Sequence, residues 1–176
     1  MTKSRLVLLL ALLTSGCGAL NPLTVDEYAP DGTHVRYYQT NSVVGHARTS
    51  NGQLGVFAVG RASMSNTGGL ELYVFGLSDR PVSVEILDVR LIGSRPEITP
   101  NDRTFVVSRI DRRRIVPAHF SMSSYAPGWP VTIVLAVDGH EEQLELTLNR
   151  RRAENYAEVV KLESDVPSDV AAFERL

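Results

Sequence analysis

Two arginine triplets, Arg112-Arg113-Arg114 and Arg150-Arg151-Arg152, are the densest charged constellations in the chain. Guanidinium groups are planar, always charged, and match carboxylate and phosphate oxygens, so gathering these six at one pole of a fold would make an anion- or partner-binding surface. The plainer reading, which the sequence favours, is solvated loop charge partly paired with Asp111 and with acids of the tail such as Glu154 and Glu158. A metal site would draw on His34, His46, His119 and His140, with Met64 and Met122. Of these, His119 and Met122 form an H-x-x-M pair. In an extended strand such positions face opposite ways, so the pair converges only across a turn. The set reads as scattered polar and packing residues, and no metal or other cofactor is expected. No G-x-S-x-G, H-E-x-x-H or G-x-x-x-x-G-K occurs. Glu141-Glu142 sit beside a turn, where water solvates both carboxylates instead of a cleft splitting their pKa values. A protein without enzymatic activity is expected. Tyr125-Ala126-Pro127-Gly128-Trp129-Pro130 holds two large aromatics in a turn-rich stretch, and Trp129 is expected as a lid on the core more than as an exposed hot spot.

Cys17 is the only cysteine, so no internal disulfide can form and packing alone must hold the fold. Its position gives it another use. Lys3 and Arg5 make a positive start, residues 6–13 read LVLLLALL, and the small residues Thr14-Ser15-Gly16 lead to the cysteine. An apolar run of eight residues rises only ~12 Å as a helix, far short of the ~30 Å of a hydrocarbon core, which argues for a removed leader over a permanent span. The segment resembles the lipobox of bacterial prolipoproteins, with Thr14 where that pattern favours Leu. The resemblance covers about residues 3–17 and implies cleavage before Cys17 and a diacylglycerol on its sulfur. Gly18, in place of Asp after the cysteine, resembles the sorting signal for the outer membrane. The expected address is therefore the bacterial envelope, on the periplasmic face of the outer membrane. An ordinary secretory signal cut near Gly18-Ala19 is the alternative.

These groups must be positioned by a domain that composition makes compact: 176 residues with 43% hydrophobic content suit one globular core. A formal net charge of −2, more acidic once Lys3 and Arg5 leave with the leader, argues against nucleic acid as a partner. Residues 17–32, with Pro22, Pro30 and Gly32, read as a lipidated tether, and residues 33–150 as a sandwich of short alternating runs. Leu54, Val56 and Ala58 line one face of a run whose other face carries Phe57 and Val59. Leu70, Leu72 and Val74 alternate, as do Val82, Val84 and Ile86, before parity flips to Val89 and Leu91. Leu87-Asp88 is therefore a candidate bulge. Residues 104–110 and 114–122 give further strands, the second demoted to an edge or bend by Pro117. Asn66-Thr67-Gly68-Gly69 and Ser78-Asp79-Arg80-Pro81 read as turns. Val131, Ile133, Leu135 and Val137, then Asp138-Gly139, then Leu144, Leu146 and Leu148 spell a hairpin.

The fold class is all-β: an immunoglobulin-like or transthyretin-like antiparallel β-sandwich of about seven to nine strands. Residues 151–176 form an acidic tail, with a helix expected over 153–163 and a short one from Pro167-Ser168-Asp169 through Phe173. A solvated, frayed tail is favoured over a docked one. The functional expectation is a lipid-tethered, non-enzymatic module binding an envelope protein or component, with a periplasmic small-ligand or metal carrier of the copper-chaperone kind as the alternative.

Overall fold

The computed structural model describes residues 23–28, 30–62, 67–91, 95–110, 112–115, 120–121 and 128–176. Among these residues ten strands follow one another: β1 (Leu23–Tyr28), β2 (His34–Arg48), β3 (Leu54–Ala62), β4 (Thr67–Gly76), β5 (Val82–Leu91), β6 (Thr104–Val107), β7 (Arg112–Ile115), β8 (Phe120–Ser121), β9 (Trp129–Val137) and β10 (His140–Ala153). Helix α1 (Pro100–Arg103) precedes β6, while α2 (Tyr156–Ser164) and α3 (Val170–Glu174) form the tail. Every strand pair among the described residues is antiparallel. The sheet runs β6-β5-β9-β10-β2-β3-β4-β7, with β1 added on β2 and β8 on β4. The fold is thus all-β, a nearly closed, sandwich- or barrel-like sheet with short C-terminal helices.

Local chemistry sets the path. Asp138 and Gly139 both take positive φ, 49° and 83°, the pair a two-residue hairpin needs, and they join β9 to β10 at Val137↔His140. The Leu87-Asp88 bulge is present as a register shift between Ile86 and Asp88 against β9. It keeps Val82, Val84 and Ile86, then Val89 and Leu91, on the buried side. β10 is long because it serves two neighbours: residues 140–148 pair with β9 and residues 149–153 with β2. Where it passes to β2, the partner strand bulges at Thr40–Ser42. Thr40 closes that bulge, donating its hydroxyl to the Ser42 carbonyl at 2.8 Å and accepting the Arg151 N–H at 3.1 Å.

The inner faces of the curled sheet meet in one core that includes Leu54, Leu72, Ile86, Ile115, Ile133, Leu135 and Leu148, each at most 2% exposed. Trp129 packs partly buried against this core, as a lid. At the seam, β7 and β6 end the path. Arg113 bonds Asp102 of α1 and lies 5.9 Å from the Phe105 ring of β6, while Gly76 packs on the Ser108 backbone, where a Cβ would come within 2.7 Å.

Three expectations need correcting. Residues 23–28, read as tether, are strand β1, in register Leu23↔Gln39 to Tyr28↔His34. Thr67, Gly68 and Gly69, read as a turn, already belong to β4, where Gly68 pairs with Ala62 and Phe120. The tail is not frayed: Val159, Val170 and Phe173 are buried. Cys17, Met64, Asp111, Pro117, His119, Met122 and residues 125–127 lie outside the described residues.

Candidate functional site

β3 and β4 are apolar on both faces. Even-numbered Val56, Ala58, Leu72 and Val74 enter the inner core, while odd-numbered Phe57, Val59, Tyr73 and Phe75 point outward. A strand face of this composition must be covered, and the tail covers it. Val170 and Phe173 of α3, with Val166 before it, complete a second apolar cluster on that outer face. Phe173 is fully buried and stacks on Phe75 with ring centroids 5.0 Å apart. His46 meets the same ring edge-on at 6.3 Å, and Arg48 lies 5.5 Å from its centroid. Gly55 floors the socket: a Cβ there would sit 2.1 Å from the ring. Asp169 starts α3 by accepting the Ala172 N–H at 2.7 Å, an N-cap that fixes a helix too short to hold itself.

Four arginines rim this interface. Arg48 donates to the Glu174 carbonyl at 3.3 Å, and Arg109 forks onto both Glu174 carboxylate oxygens at 3.0 Å. Arg112 donates to the Pro167 carbonyl, and Arg151 to the Asp165 carbonyl at 3.1 Å. One arginine from each triplet therefore reaches the same connector between α2 and α3. Three of the four rim donors contact main-chain carbonyls of the tail, a way of holding peptide that does not depend on its side chains.

The third arginine of each triplet repeats a single arrangement. Arg114 bonds Glu71 at 2.6 Å and lies 5.9 Å from the Tyr73 ring, whose hydroxyl also donates to Glu71 at 2.6 Å. Arg152 bonds Glu27 at 2.9 Å and lies 4.5 Å from the Tyr37 ring, whose hydroxyl donates to Glu27 at 2.7 Å. Burial pushes the Glu71 carboxyl up, but the hydrogen bonds from Tyr73 and Arg114 outweigh it and leave its pKa below the ordinary value. Burial, then the bond to Glu71, raises the Tyr73 phenol. The Thr99 hydroxyl, followed by Arg113, lowers Asp102. Arg150 donates to the Gln39 side chain at 3.3 Å. The triplets thus fasten strands and tail together. Among the described residues their acid partners include Glu27, Glu71, Asp102 and, from the acidic tail, Asp165, while Glu158 accepts the Glu154 N–H and Asp111 lies outside the described residues.

Beside the docked tail the outer face opens into two adjoining recesses. One, of about 240 Å³, lies among Asp165, Pro167, Ala172 and Arg175. The other, of about 470 Å³, is walled by Val44, Gly45, His46, Thr147 and Asn149. Both are lined by Phe57, Arg151 and Leu176, so they continue each other along the tail. Among the described residues no three His, Cys, Asp or Glu side chains converge as a metal site would require. His46 belongs to the socket wall, and His34 bonds Asp26 at 3.0 Å on the β1–β2 hairpin.

Sequence reasoning missed Arg48, Arg109 and the socket itself. The signal was present in the second apolar face of β3 and in Tyr73 and Phe75 of β4, with Val170 and Phe173 as the unassigned apolar residues able to cover it. No family model, curated protein or solved structure matches the chain.

Proposed function

We propose that this protein is a lipid-tethered, non-enzymatic binding module of the bacterial envelope, held at the periplasmic face of the outer membrane through Cys17 and engaging a protein partner along the tail-side face of its sheet. One observation carries the binding role. The apolar content of the fold is divided in two, a sealed inner core and a separate aromatic face on the outside, rimmed by arginine and covered, among the described residues, by a short segment. Aromatic and arginine side chains around a small desolvated centre are the composition of protein–protein hot spots.

The leader and Cys17 support the tether. β1 begins at Leu23, six residues after Cys17, a reach of at most ~20 Å, so a lipid on that cysteine keeps the sheet beside the bilayer. A carrier with its ligand between the walls has less support, because side chains at or near zero exposure fill that space.

Two experiments test the reading in a diderm bacterial host. Wild-type protein should sediment with outer membranes after a salt wash and Cys17→Ala should not; equal sedimentation contradicts the tether. A photocrosslinking residue at His46 or Thr147, beside the larger recess, should give an adduct of defined mass that is absent when the crosslinker replaces Ser83 on β5. Equal adducts from both faces contradict the assigned surface.

A further inference from the structure

We infer that the outer face of β3 and β4 is an exchangeable docking site, and that a second copy of this chain fills it with its own α3 segment. The inference deepens the binding-module reading and relies on it for the setting, a membrane surface where tethered copies meet at high local concentration.

The tail and the body are energetically separable. Among the described residues, none from α2 or α3 belongs to the inner core, whose last chain member is Leu148. Lifting α3 away leaves that core intact and uncovers Phe57, Val59, Tyr73 and Phe75 together. An aromatic patch of that kind does not remain in water when a complementary segment is at hand. The site also states what it takes: a short helix capped by an acid, with one phenylalanine for the Gly55-floored socket and one carboxylate for Arg109. Among the described residues the segment with that chemistry is α3, and every copy carries it. Residues 165–169 connect it to α2 and are held to the body by Arg112 on the Pro167 carbonyl, by Arg151 on the Asp165 carbonyl and carboxylate, and by Val166 against the outer apolar cluster. Exchanging an identical element costs no contact, because each socket receives in trans what it held in cis, and two-fold reciprocity closes the assembly at a dimer.

In cis, the short connector supplies an effective concentration in the millimolar range. Exchange therefore shows when the cis route is weakened. Full-length Phe173→Ala in mild detergent, its socket empty, should bind a fluorescent peptide of residues 165–176 saturably. The same peptide lacking the phenylalanine ring should bind about a hundredfold more weakly. Absence of saturation up to ~1 mM peptide, with the variant's circular dichroism native, overturns the inference.

A second variant keeps Phe173 and deletes residues 165–168, removing up to ~14 Å of reach. It should become dimeric by light scattering as concentration rises, and adding Phe173→Ala should return it to monomer. A folded deletion variant that stays monomeric to ~1 mM also overturns the inference. Failure of either solution assay leaves the membrane fractionation of Cys17→Ala unaffected, and loss of membrane attachment leaves tail exchange unaffected, so the two readings fail separately.

Discussion

Gly55→Ala tests whether the tail sits where the structure puts it. The added methyl would lie 2.1 Å from Cε1 and 2.4 Å from Cζ of Phe173, well inside contact distance. The ring cannot slide far, because Phe75 stacks on it at 5.0 Å and His46 meets its edge. Overpacking of this kind costs about 1–3 kcal/mol, and the cost is capped at the free energy of tail docking, since α3 can lift off before the core yields. Removing the ring reverses the outcome. Phe173→Ala by itself should cost about 3–5 kcal/mol at a well-packed site, under the same cap. In that background the methyl at position 55 meets open space, and Ala should exceed Gly in a strand by about 0.5–1 kcal/mol. The substitution is therefore destabilising in wild type and neutral to stabilising in Phe173→Ala, a coupling of about 1–3 kcal/mol between residues in contact. Urea unfolding followed by circular dichroism on the four proteins of the cycle measures it. Equal cost of Gly55→Ala in both backgrounds would refute the reasoning, for the socket would then not hold Phe173.

Further outcomes follow from the same contacts. Glu71, whose pKa is lowered on folding, contributes stability above the ordinary glutamate pKa of ~4.3 and loses it as pH falls through its lower folded value. Glu71→Gln should accordingly flatten the acid limb of the urea midpoint against pH. Tyr73, whose pKa is raised, contributes below the ordinary tyrosine pKa of ~10 and loses that contribution as pH rises through its higher folded value, so Tyr73→Phe should flatten the alkaline limb. Gly139→Ala, at φ 83°, should lower stability by about 1–2 kcal/mol by thermal or urea unfolding, whereas Gly139→Asn should cost less. Arg112→Ala combined with Arg151→Ala should raise hydrogen exchange at the Ala172 and Phe173 amides by roughly tenfold, about 1.4 kcal/mol of docking energy, while the slowest core amides of β9 stay protected.

Much of the sheet was legible because its signals are local. Asp138-Gly139 specifies its own turn, and the parity change from Ile86 to Val89 specifies a bulge whatever the partner strand. The alternation at Val82, Val84 and Ile86 and at Leu144, Leu146 and Leu148 marked the core side directly. What escaped depends on partners far away in the chain. LTVDEY alternates only at Leu23 and Val25 before Glu27 interrupts the apolar side, too short a signal by itself, and it becomes β1 by pairing with β2. Arg150-Arg151-Arg152 reads as loop charge, yet β10 continues through it, since the Thr40–Ser42 bulge turns β2 to receive it and Glu27 and the tail take up two of its charges. The destination of the tail could not be read from helical spacing alone, because Phe173 needs the notch at Gly55, 118 positions earlier, to be buried. The candidate site was legible only in fragments: Arg112 and Arg151 were singled out for anions, and the oxygens they meet in the structure are peptide carbonyls and one carboxylate.

The proposed tether at Cys17 sets the address of the proposed module, and intact-mass and peptide mass spectrometry of protein from the outer-membrane fraction of a diderm host tests it most directly. A mature chain beginning at Cys17 and carrying acyl mass on that residue is the expected result. A mature N-terminus at another position, or an unmodified Cys17, contradicts it.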